Sequence, residues 1–351
     1  MMKTLQQKMK NSKITIHDIA KELNIDSSTV SRALSNNSRV KQKTKDLVNA
    51  KALELGYQRN LLASNLRSKK TNTIGVIVPR ISRHFFSSAI AGIEETAYDA
   101  GYNVIICQSL DHFEREKKIV QSLSANRVDG VLMSISMETK DDESLQFLKN
   151  TDTPHVLFDR NINMSGYSSV VIDDFQGGFD ATEHLILQGC KNIAHFSGPQ
   201  ELEIYKNRFL GYEAALKKHN IPLKKELIIS SKLMEADGIE NAKKMLALNI
   251  PIDGIFSAND TAAISALQYL KEQGIKIPQE IAVVGFSNEP ISSIIEPSLT
   301  TIDQPGFEMG KIAMNLLLSR IKNKNEPTAP ETIVLKPVLL KRNSSKRLKQ
   351  D

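Results

Sequence analysis

The feature that most constrains the fold is an alternation between short Val/Ile-rich runs and helical segments, which begins at Ile74. Continuous apolar strands that alternate with helices are typical of parallel α/β sheets, because helices cover both faces of such sheets. Strands are predicted at 74–78, 104–106, 130–133, 156–158, 170–172, 192–196, 254–256 and 281–284, and helices at about 86–100, 112–126, 174–188, 202–219, 236–248, 259–273 and 305–321. These units are too many for one small sheet, so we predict two Rossmann-like parallel-sheet lobes. Ligands bind such folds in the crevice at the carboxyl ends of the strands.

Residues 14–58 show helical spacing instead, which predicts a small all-α domain of three helices. Asn24 tolerates the left-handed conformation of a tight turn between the first two helices. Asp26 is then placed to cap the second helix, at about 27–35, and a third helix is predicted at about 42–55. The expected core residues are Ile16, Ile19, Ala20, Leu23, Val30, Ala33, Leu34, Leu47, Val48, Ala50 and Leu53.

Charge is distributed unevenly along the chain. The net charge is +6 overall, but residues 1–70 carry 15 Lys and Arg against five Asp and Glu, so the remainder of the chain is mildly acidic. This division suggests that only the head meets a polyanion. Charge alone leaves a solvated lysine tail, at residues 1–13, as an open alternative.

Two stretches of the head resemble the LacI/GalR repressors: ITIHDIA at 14–20 and STVSRAL at 28–34. The resemblance continues through body motifs such as RVDG at 127–130 and covers roughly residues 14–343. One departure is Asn24, where the family usually has Gly. The implied domains are a helix-turn-helix domain at 14–58, a hinge helix and linker at 59–71, a periplasmic-binding-protein-like effector-binding and dimerisation body at 72–343, and a tail at 344–351.

The resemblance implies specific DNA contacts in the head. Ser27, Ser28 and Arg32 would read bases in the major groove, where arginine can pair bidentately with guanine. The alternative is a small helical bundle with incidental serines, which the basic charge of the same segment disfavours. Phosphate contacts, which set position rather than sequence, are implied for Thr15, Thr29, Ser31 and Asn36.

The hinge at 60–70 would be marginal as an isolated helix, since it is so short. In the family this segment orders on DNA and enters the minor groove, which here implies contacts from Ala63 and Leu66. A leucine wedge at Leu66 would unstack and kink the duplex. The alternative is that Leu66 packs on the body.

In bodies of this kind the chain crosses between the lobes three times, here expected near 173, 302 and 331. Each lobe is therefore expected to be discontinuous in sequence. The expected first lobe holds about 72–172 and 303–330, and the expected second lobe holds about 174–302 and 331–343.

Candidate effector residues follow the predicted strands or begin the next helix. Phe85 and Phe86 could stack on a sugar face or a base ring, while carboxylates, amides and an arginine fork suit a polyol. For Asp260, capping of the next helix remains an open alternative. The full candidate set is His84, Phe85, Phe86, Asp159, Arg160, Arg208, Asn259, Asp260, Ser287 and Asn288.

Two departures from the family bear on the effector. Ser287 stands where many members carry a ligand-gripping Asp, and Leu202 and Ile204 stand where purine-sensing members have polar side chains. These changes disfavour a purine, so a sugar or sugar derivative is the expected effector.

An enzymatic role has no support in the sequence. The phosphate-binding G-x-x-x-x-G-K-[ST], the dinucleotide-binding G-x-G-x-x-G and the hydrolase G-x-S-x-G motifs are absent, and the segment 306–311 only approximates the first. No histidine has metal-ligand spacing, so no cofactor, metal or catalytic residue is predicted. Cys107 and Cys190 are interpreted as reduced structural thiols.

These observations predict a cytoplasmic homodimer that binds a palindromic double-stranded DNA operator as a repressor under small-molecule control. Neither a secretory signal nor an apolar run of membrane-spanning length is present in the sequence, so a cytoplasmic location is expected and no membrane partner. A sugar carrier without a DNA role and an enzyme fused to a DNA-binding head are the rival interpretations.

Overall fold

The computed structural model describes residues 14–57, 70–161, 166–324 and 329–347. The chain divides into two compact units between Thr71 and Asn72. We refer to the first unit as the head and to the second as the sensor.

Within residues 14–57 the head forms three short helices, α1 (Ile16–Leu23), α2 (Ser27–Leu34) and α3 (Gln42–Glu54). Asn24 ends α1 in the left-handed conformation, with φ 50°, which a tight turn between helices requires. Asp26 caps α2 as expected, because its carboxylate accepts a hydrogen bond of 2.7 Å from the backbone N–H of Ser28. The head core forms around Ile19, Val30 and Val48, all fully buried.

The expected contribution of α3 to this core was partly wrong. Leu47 is 53% exposed and Leu53 is 85% exposed, and Ala50 is also exposed, whereas Val48 and Ala52 are buried. Leu53 lies five residues from Val48, which is about 140° around a helix that turns 100° per residue. Only the stripe through Val48 and Ala52 can therefore face the other two helices.

The sensor alternates strands and helices along most of its length, as the Val/Ile-rich runs predicted. Its elements in chain order are β1 (Thr73–Val78), α4 (His84–Asp99), β2 (Asn103–Gln108), α5 (Phe113–Ala125), β3 (Gly130–Met133), α6 (Glu143–Asn150), β4 (His155–Phe158), β5 (Ser169–Ile172), α7 (Asp174–Leu187), β6 (Ile193–Ser197), α8 (Glu203–Lys218), β7 (Ile228–Ser230), α9 (Glu235–Leu246), β8 (Gly254–Ser257), α10 (Asp260–Glu272), β9 (Ala282–Phe286), β10 (Thr300–Asp303), α11 (Gly306–Lys322), β11 (Thr332–Leu335) and β12 (Val338–Leu340).

The strands of the described residues form two six-stranded sheets, one in each lobe. The first sheet has the order β11-β5-β4-β3-β1-β2 and is parallel throughout; the second has the order β12-β10-β9-β8-β6-β7, with only β12 antiparallel. The central strands are almost fully buried because helices pack on both faces. The predicted fold class, two Rossmann-like lobes preceded in the sequence by a small all-α domain, is confirmed.

The chain passes between the lobes after β5, after β10 and between β11 and β12. The third crossing was expected near residue 331 but lies between Leu335 and Val338. Thr332–Leu335 therefore belongs to the first lobe, because it pairs in register with Ser169–Ile172. The sequence of β11 carries no signal that distinguishes one sheet edge from the other.

The segment 344–347, expected to be part of a tail, packs against the second sheet. Ser344 is fully buried and its hydroxyl donates to the carbonyl oxygen of Val283 at 2.6 Å. Arg347 donates from its guanidinium to the carbonyl oxygens of Pro278 and Glu280, both at 2.9 Å. These contacts give hydrogen-bond partners to carbonyl groups of β9 and of the segment that precedes it.

Close helix pairs cover each sheet, and each pair meets at glycines. A Cβ on Gly92 of α4 would come within 2.1 Å of the Phe307 carbonyl oxygen of α11. In the second lobe, a Cβ on Gly211 of α8 would come within 2.2 Å of the Phe175 carbonyl oxygen of α7. These contacts show that the backbones approach too closely for any side chain to fit between them.

None of the described helices combines the length and the hydrophobicity that crossing a bilayer requires. Cys107 and Cys190 are both free thiols, and burial raises the pKa of Cys190 to about 12. Within the described ranges, no group of three or more Cys, His, Asp or Glu side chains could hold a metal ion.

Candidate nucleic-acid interface and ligand cleft

Helix α2 presents a polar face opposite the head core. Ser28 and Arg32 are exposed and lie one turn apart, and Nη2 of Arg32 donates to Oγ of Ser28 at 3.1 Å. Ser27, at the start of the helix, is half-buried. Val30 and Ala33 are buried on the other side, so packing fixes which face remains exposed. The three predicted base-reading residues therefore lie on one helix, and Ser28 and Arg32 share its exposed face.

The four predicted phosphate-contacting residues lie around this face. Thr15 is exposed at the start of α1, where its backbone N–H and its hydroxyl both donate to Asp18 at 2.8 and 2.7 Å. These hydrogen bonds lower the pKa of Asp18. Asn36 follows α2 with φ 53° and accepts from the Lys45 ammonium at 2.8 Å. The remaining two residues, both half-buried on α2, are Thr29 and Ser31.

The predicted minor-groove residues Ala63 and Leu66 lie outside the described residues. Their assignment stays a prediction from the sequence.

A cleft between the two sensor lobes contains most of the candidate effector residues. It encloses about 660 Å³ of space, part of which is open to solvent. Its lining residues follow the carboxyl ends of strands in both sheets, as the topology of parallel sheets predicts. The candidates that line it are Phe85, Phe86, Asp159, Arg160, Arg208, Asn259, Asp260 and Ser287.

Two candidates do not line the cleft. His84 is exposed at the first position of α4, while Arg80 and Arg83 from the same loop line the cleft instead. Asn288 donates from Nδ2 to Asp303 at 2.8 Å and accepts from Arg342 at 2.7 Å, so its amide is used within the second lobe. The sequence placed both residues beside a strand end, but the direction of each side chain depends on the folded loop.

Phe85 and Phe86 form an apolar part of the cleft wall. Their rings pack edge to face with centroids 5.2 Å apart, and Phe86 packs in the same way on Phe158 at 6.5 Å. Each ring is less than one tenth exposed. Such a wall suits the apolar face of a ring-shaped ligand.

A buried charged cluster lies beside these rings in the first lobe. Nη1 of Arg160 is 2.5 Å from the Asp111 carboxylate, which Nε of Arg80 also approaches at 3.4 Å. Asp159 accepts from the Ser134 hydroxyl at 3.2 Å, and burial raises its pKa although Arg160 opposes that shift. Asp111 was missed in the sequence, yet it follows β2 just as Asp159 follows β4.

In the second lobe, Arg208 is anchored by Asp174. Its Nε donates to the Asp174 carboxylate at 2.7 Å, Nη1 donates to the Ala258 carbonyl oxygen at 2.7 Å, and the guanidinium lies 3.6 Å from the ring centroid of Phe286. The two charged side chains are only 3% and 4% exposed. Desolvation raises the pKa of Asp174 to about 7, although the charge of Arg208 opposes this shift.

Asn259 and Asp260 line the cleft but are engaged in structural hydrogen bonds. Asn259, not Asp260, caps α10, because its Oδ1 accepts from the Ala262 backbone N–H at 2.8 Å. Asp260 is fully buried and accepts from the Thr301 hydroxyl at 2.6 Å and from the Glu289 N–H at 2.8 Å. Burial raises the pKa of Asp260 to about 7.

Three basic side chains that the sequence did not single out also line the cleft: Arg80, Arg83 and Lys232. Arg83 of the first lobe donates from Nη1 to the Thr261 hydroxyl of the second lobe, and its Nη2 lies 3.7 Å from the Met234 sulfur. The cleft is therefore rich in hydrogen-bond donors, and one of them joins the two lobes.

Comparison with known proteins accounts for both units. The family described as "Bacterial regulatory proteins, lacI family" matches residues 15–60, and the "Periplasmic binding protein-like domain" matches residues 182–345. The chain is 33% identical to HTH-type transcriptional regulator RegA of Clostridium saccharobutylicum over 333 residues, 94% of this chain and 99% of the relative. It is 33% identical to catabolite control protein A of Priestia megaterium over 325 residues, 92% of this chain and 96% of the relative.

Solved structures agree with this result. The lac repressor dimer bound to operator and the anti-inducer ONPF has a TM-score of 0.84 at 26% identity, with 95% of this chain and 99% of that chain covered. A complex of the transcriptional regulator CelR with cellobiose has a TM-score of 0.73 at 26% identity, with 95% and 100% covered.

A helix-turn-helix head followed by a two-lobed, periplasmic-binding-protein-like body defines the class of DNA-binding transcriptional regulators. Within that class, the chain belongs to the LacI family of bacterial regulatory proteins. It is a transcriptional regulator and not an enzyme.

Proposed function

We propose that this regulator is a repressor that binds a palindromic operator as a homodimer and responds to a sugar or sugar derivative in the sensor cleft. The observation that carries the DNA-reading part is the exposed pair of Ser28 and Arg32 on α2, opposite the head core. Because the proposed partner is operator DNA, the proposed location of the protein is the cytoplasm. The relatives support the finer assignment, because one similar structure is a repressor dimer bound to operator.

Base reading is assigned to Ser27, Ser28 and Arg32. A guanidinium on an exposed helix face can donate two parallel hydrogen bonds to guanine O6 and N7, and short hydroxyls leave room for close approach. Thr15, Thr29, Ser31 and Asn36 would hold the helix in register through phosphates. In a dimer, two such helices would read two half-sites related by the protein two-fold axis.

The cleft is proposed as the effector site. The aromatic wall of Phe85 and Phe86 suits a sugar ring, and the surrounding donors suit its oxygen atoms. A similar structure contains cellobiose, which supports a carbohydrate as the class of ligand. A ligand that contacts both lobes would favour one angle between them and so change operator affinity. Linkage then requires the operator to change effector affinity by the same factor.

Arg32 provides the sharpest test of DNA reading. Full-length protein, Arg32→Ala and the control Arg39→Ala would each select duplexes from a random pool, with base preference read at every position. Arg39 is also an exposed arginine of the head but lies beyond α2, so both variants lose one positive charge. We expect Arg32→Ala to lose about 1–3 kcal/mol of discrimination at one position in each half-site.

Arg39→Ala is expected to weaken binding to all duplexes without changing base preference. Base preference that is unchanged in Arg32→Ala, or changed equally in both variants, would contradict the assignment of the reading face.

A further inference from the structure

We propose that the effector carries an anionic group, a phosphate ester or a carboxylate on a sugar, and that Arg83 and Lys232 bind this group. The inference deepens the proposed effector function of the cleft and rests on it. Neither residue was a candidate from the sequence, and both line the cleft.

The first observation is the surroundings of Arg83. The contacts of its guanidinium in the described structure are neutral, namely the Thr261 hydroxyl and the Met234 sulfur. A half-buried arginine keeps its charge, and neutral acceptors compensate only part of its lost hydration. Its planar fork matches the two oxygens of a carboxylate or phosphate. An anion in the cleft would supply the missing counter-charge.

The second observation is Lys232, which reaches the cleft from the other lobe. It lies two residues before Met234, the residue that Arg83 approaches. Among the described residues it has no ion pair within 4 Å. The Glu138 carboxylate, whose pKa the charge of Lys232 helps to lower, accepts from the Phe113 backbone N–H at 3.0 Å and pairs with His112 at 3.2 Å. A single anion between Arg83 and Lys232 would therefore contact both lobes.

The third observation is that the carboxylates of the cleft are largely occupied. Asp111 is held by Arg160 and Arg80, and both oxygens of Asp260 accept hydrogen bonds within the second lobe. Nε of the buried Arg160 has no hydrogen-bond partner in the described structure and lies 3.9 Å from Asp159.

The lining residues of the cleft include more basic than acidic side chains. Five basic residues line the cleft against four acidic ones, Asp111, Asp159, Asp260 and Glu289. Three of the basic residues are already paired, Arg80 and Arg160 with Asp111 and Arg208 with Asp174, so Arg83 and Lys232 are the lining basic residues without an ion pair within the described structure. Asp159 and Glu289 also line the cleft and would oppose an anion close to them, so the anionic group is expected beside Arg83 and Lys232.

Thermal unfolding of the full chain in sodium phosphate and in sodium chloride of equal ionic strength tests the anion site without knowledge of the effector. Ligand that binds only the folded state raises the melting temperature by mass action. We expect 50 mM phosphate to raise the melting temperature of the wild type and of the control Lys244→Gln, an exposed lysine of α9 outside the cleft. Arg83→Gln and Lys232→Gln should lose most of this rise. No rise in the wild type, or an equal rise in all four proteins, would overturn the proposal.

Calorimetric titration with glucose, glucose 6-phosphate and glucuronate then identifies the source of the negative charge. We expect at least one anionic sugar to bind tenfold or more tightly than glucose to the wild type, and this advantage to fall to less than threefold in Arg83→Gln. A larger advantage for the phosphate ester indicates a phosphorylated sugar, and a larger one for glucuronate indicates a sugar acid.

Glucose binding as tight as that of both anions would overturn the anionic class while leaving a neutral-sugar sensor intact. Failure of the anionic-effector proposal can therefore be distinguished from failure of the proposed sugar-sensing function. Operator binding by the same preparations, measured without sugar, reports on the head independently.

Discussion

Replacement of Arg208 by Met should expose how strongly the sensor depends on one buried ion pair. Nε of Arg208 lies 2.7 Å from the Asp174 carboxylate, and the two side chains are 3% and 4% exposed. Met fills a similar volume but leaves Asp174 without its cation, and breaking one side of a buried pair typically costs about 3–5 kcal/mol. We expect Arg208→Met to lower the free energy of unfolding of the sensor by about this amount near pH 8.

The loss of stability caused by Arg208→Met should change with pH, because Asp174 titrates. Burial raises the pKa of Asp174 to about 7 in the folded protein, well above the ordinary value of an aspartate, about 3.9. The stability associated with the bound proton is therefore full below about pH 4 and is lost as pH rises through 7. Arg208 lowers this pKa, so in Arg208→Met the loss should continue above pH 7, at up to about 1.4 kcal/mol per pH unit.

Urea unfolding followed by tyrosine fluorescence between pH 6 and 8.5 measures this effect, because six of the seven tyrosines lie in the sensor and the chain has no tryptophan. Adding Asp174→Asn to Arg208→Met should restore stability at pH 8 and remove the additional pH dependence. A cost for Arg208→Met that is constant across this range, or no recovery in the double variant, would refute the reasoning.

Two further changes test the packing and the buried carboxyl of the second lobe by the same urea assay. Gly211→Ala should lower the free energy of unfolding by about 1–3 kcal/mol, because its Cβ would lie 2.2 Å from the Phe175 carbonyl oxygen; an unchanged midpoint would contradict this close approach. Asp260 has a pKa raised to about 7 by burial, so its contribution to stability is full below about pH 4 and is lost as pH rises through 7. Asp260→Asn should therefore reduce the decline in stability between pH 4 and 8, by up to about 1.4 kcal/mol per pH unit, whereas an unchanged decline would show that this carboxyl does not titrate as argued.

The sequence predicted the strands and helices whose residue composition reflects how deeply they are buried. Runs such as Thr73–Val78 are buried on both faces, so the continuous apolar pattern is itself the signal. The short strand Ile228–Ser230 and the helix Glu143–Asn150 were missed because they are brief and mixed in polarity. The edge strand Thr332–Leu335 is only half-buried, and its pairing depends on contacts far away in sequence.

The sequence could predict those residues of the candidate site whose position follows from the order of strands and helices. The carboxyl ends of strands indicated Asp159 and Arg160, which do line the cleft. Hydrogen-bond partners cannot be inferred from position alone, so the structural role of Asp260 was left open. The contribution of Arg83 depends on the approach of the second lobe, for which the sequence gives no local signal.

Fluorescence anisotropy with the selected duplex measures whether a dimer reads a two-fold operator through α2. Three labelled duplexes would be titrated with the full-length protein: the palindrome, a single half-site, and the palindrome with five extra base pairs between its half-sites. The insertion rotates the half-sites by about half a helical turn, so one dimer can no longer contact both in the same register. We expect one dimer to bind the palindrome tightly and to bind each of the other two duplexes at least a hundredfold more weakly. Equal affinity for the single half-site would contradict it.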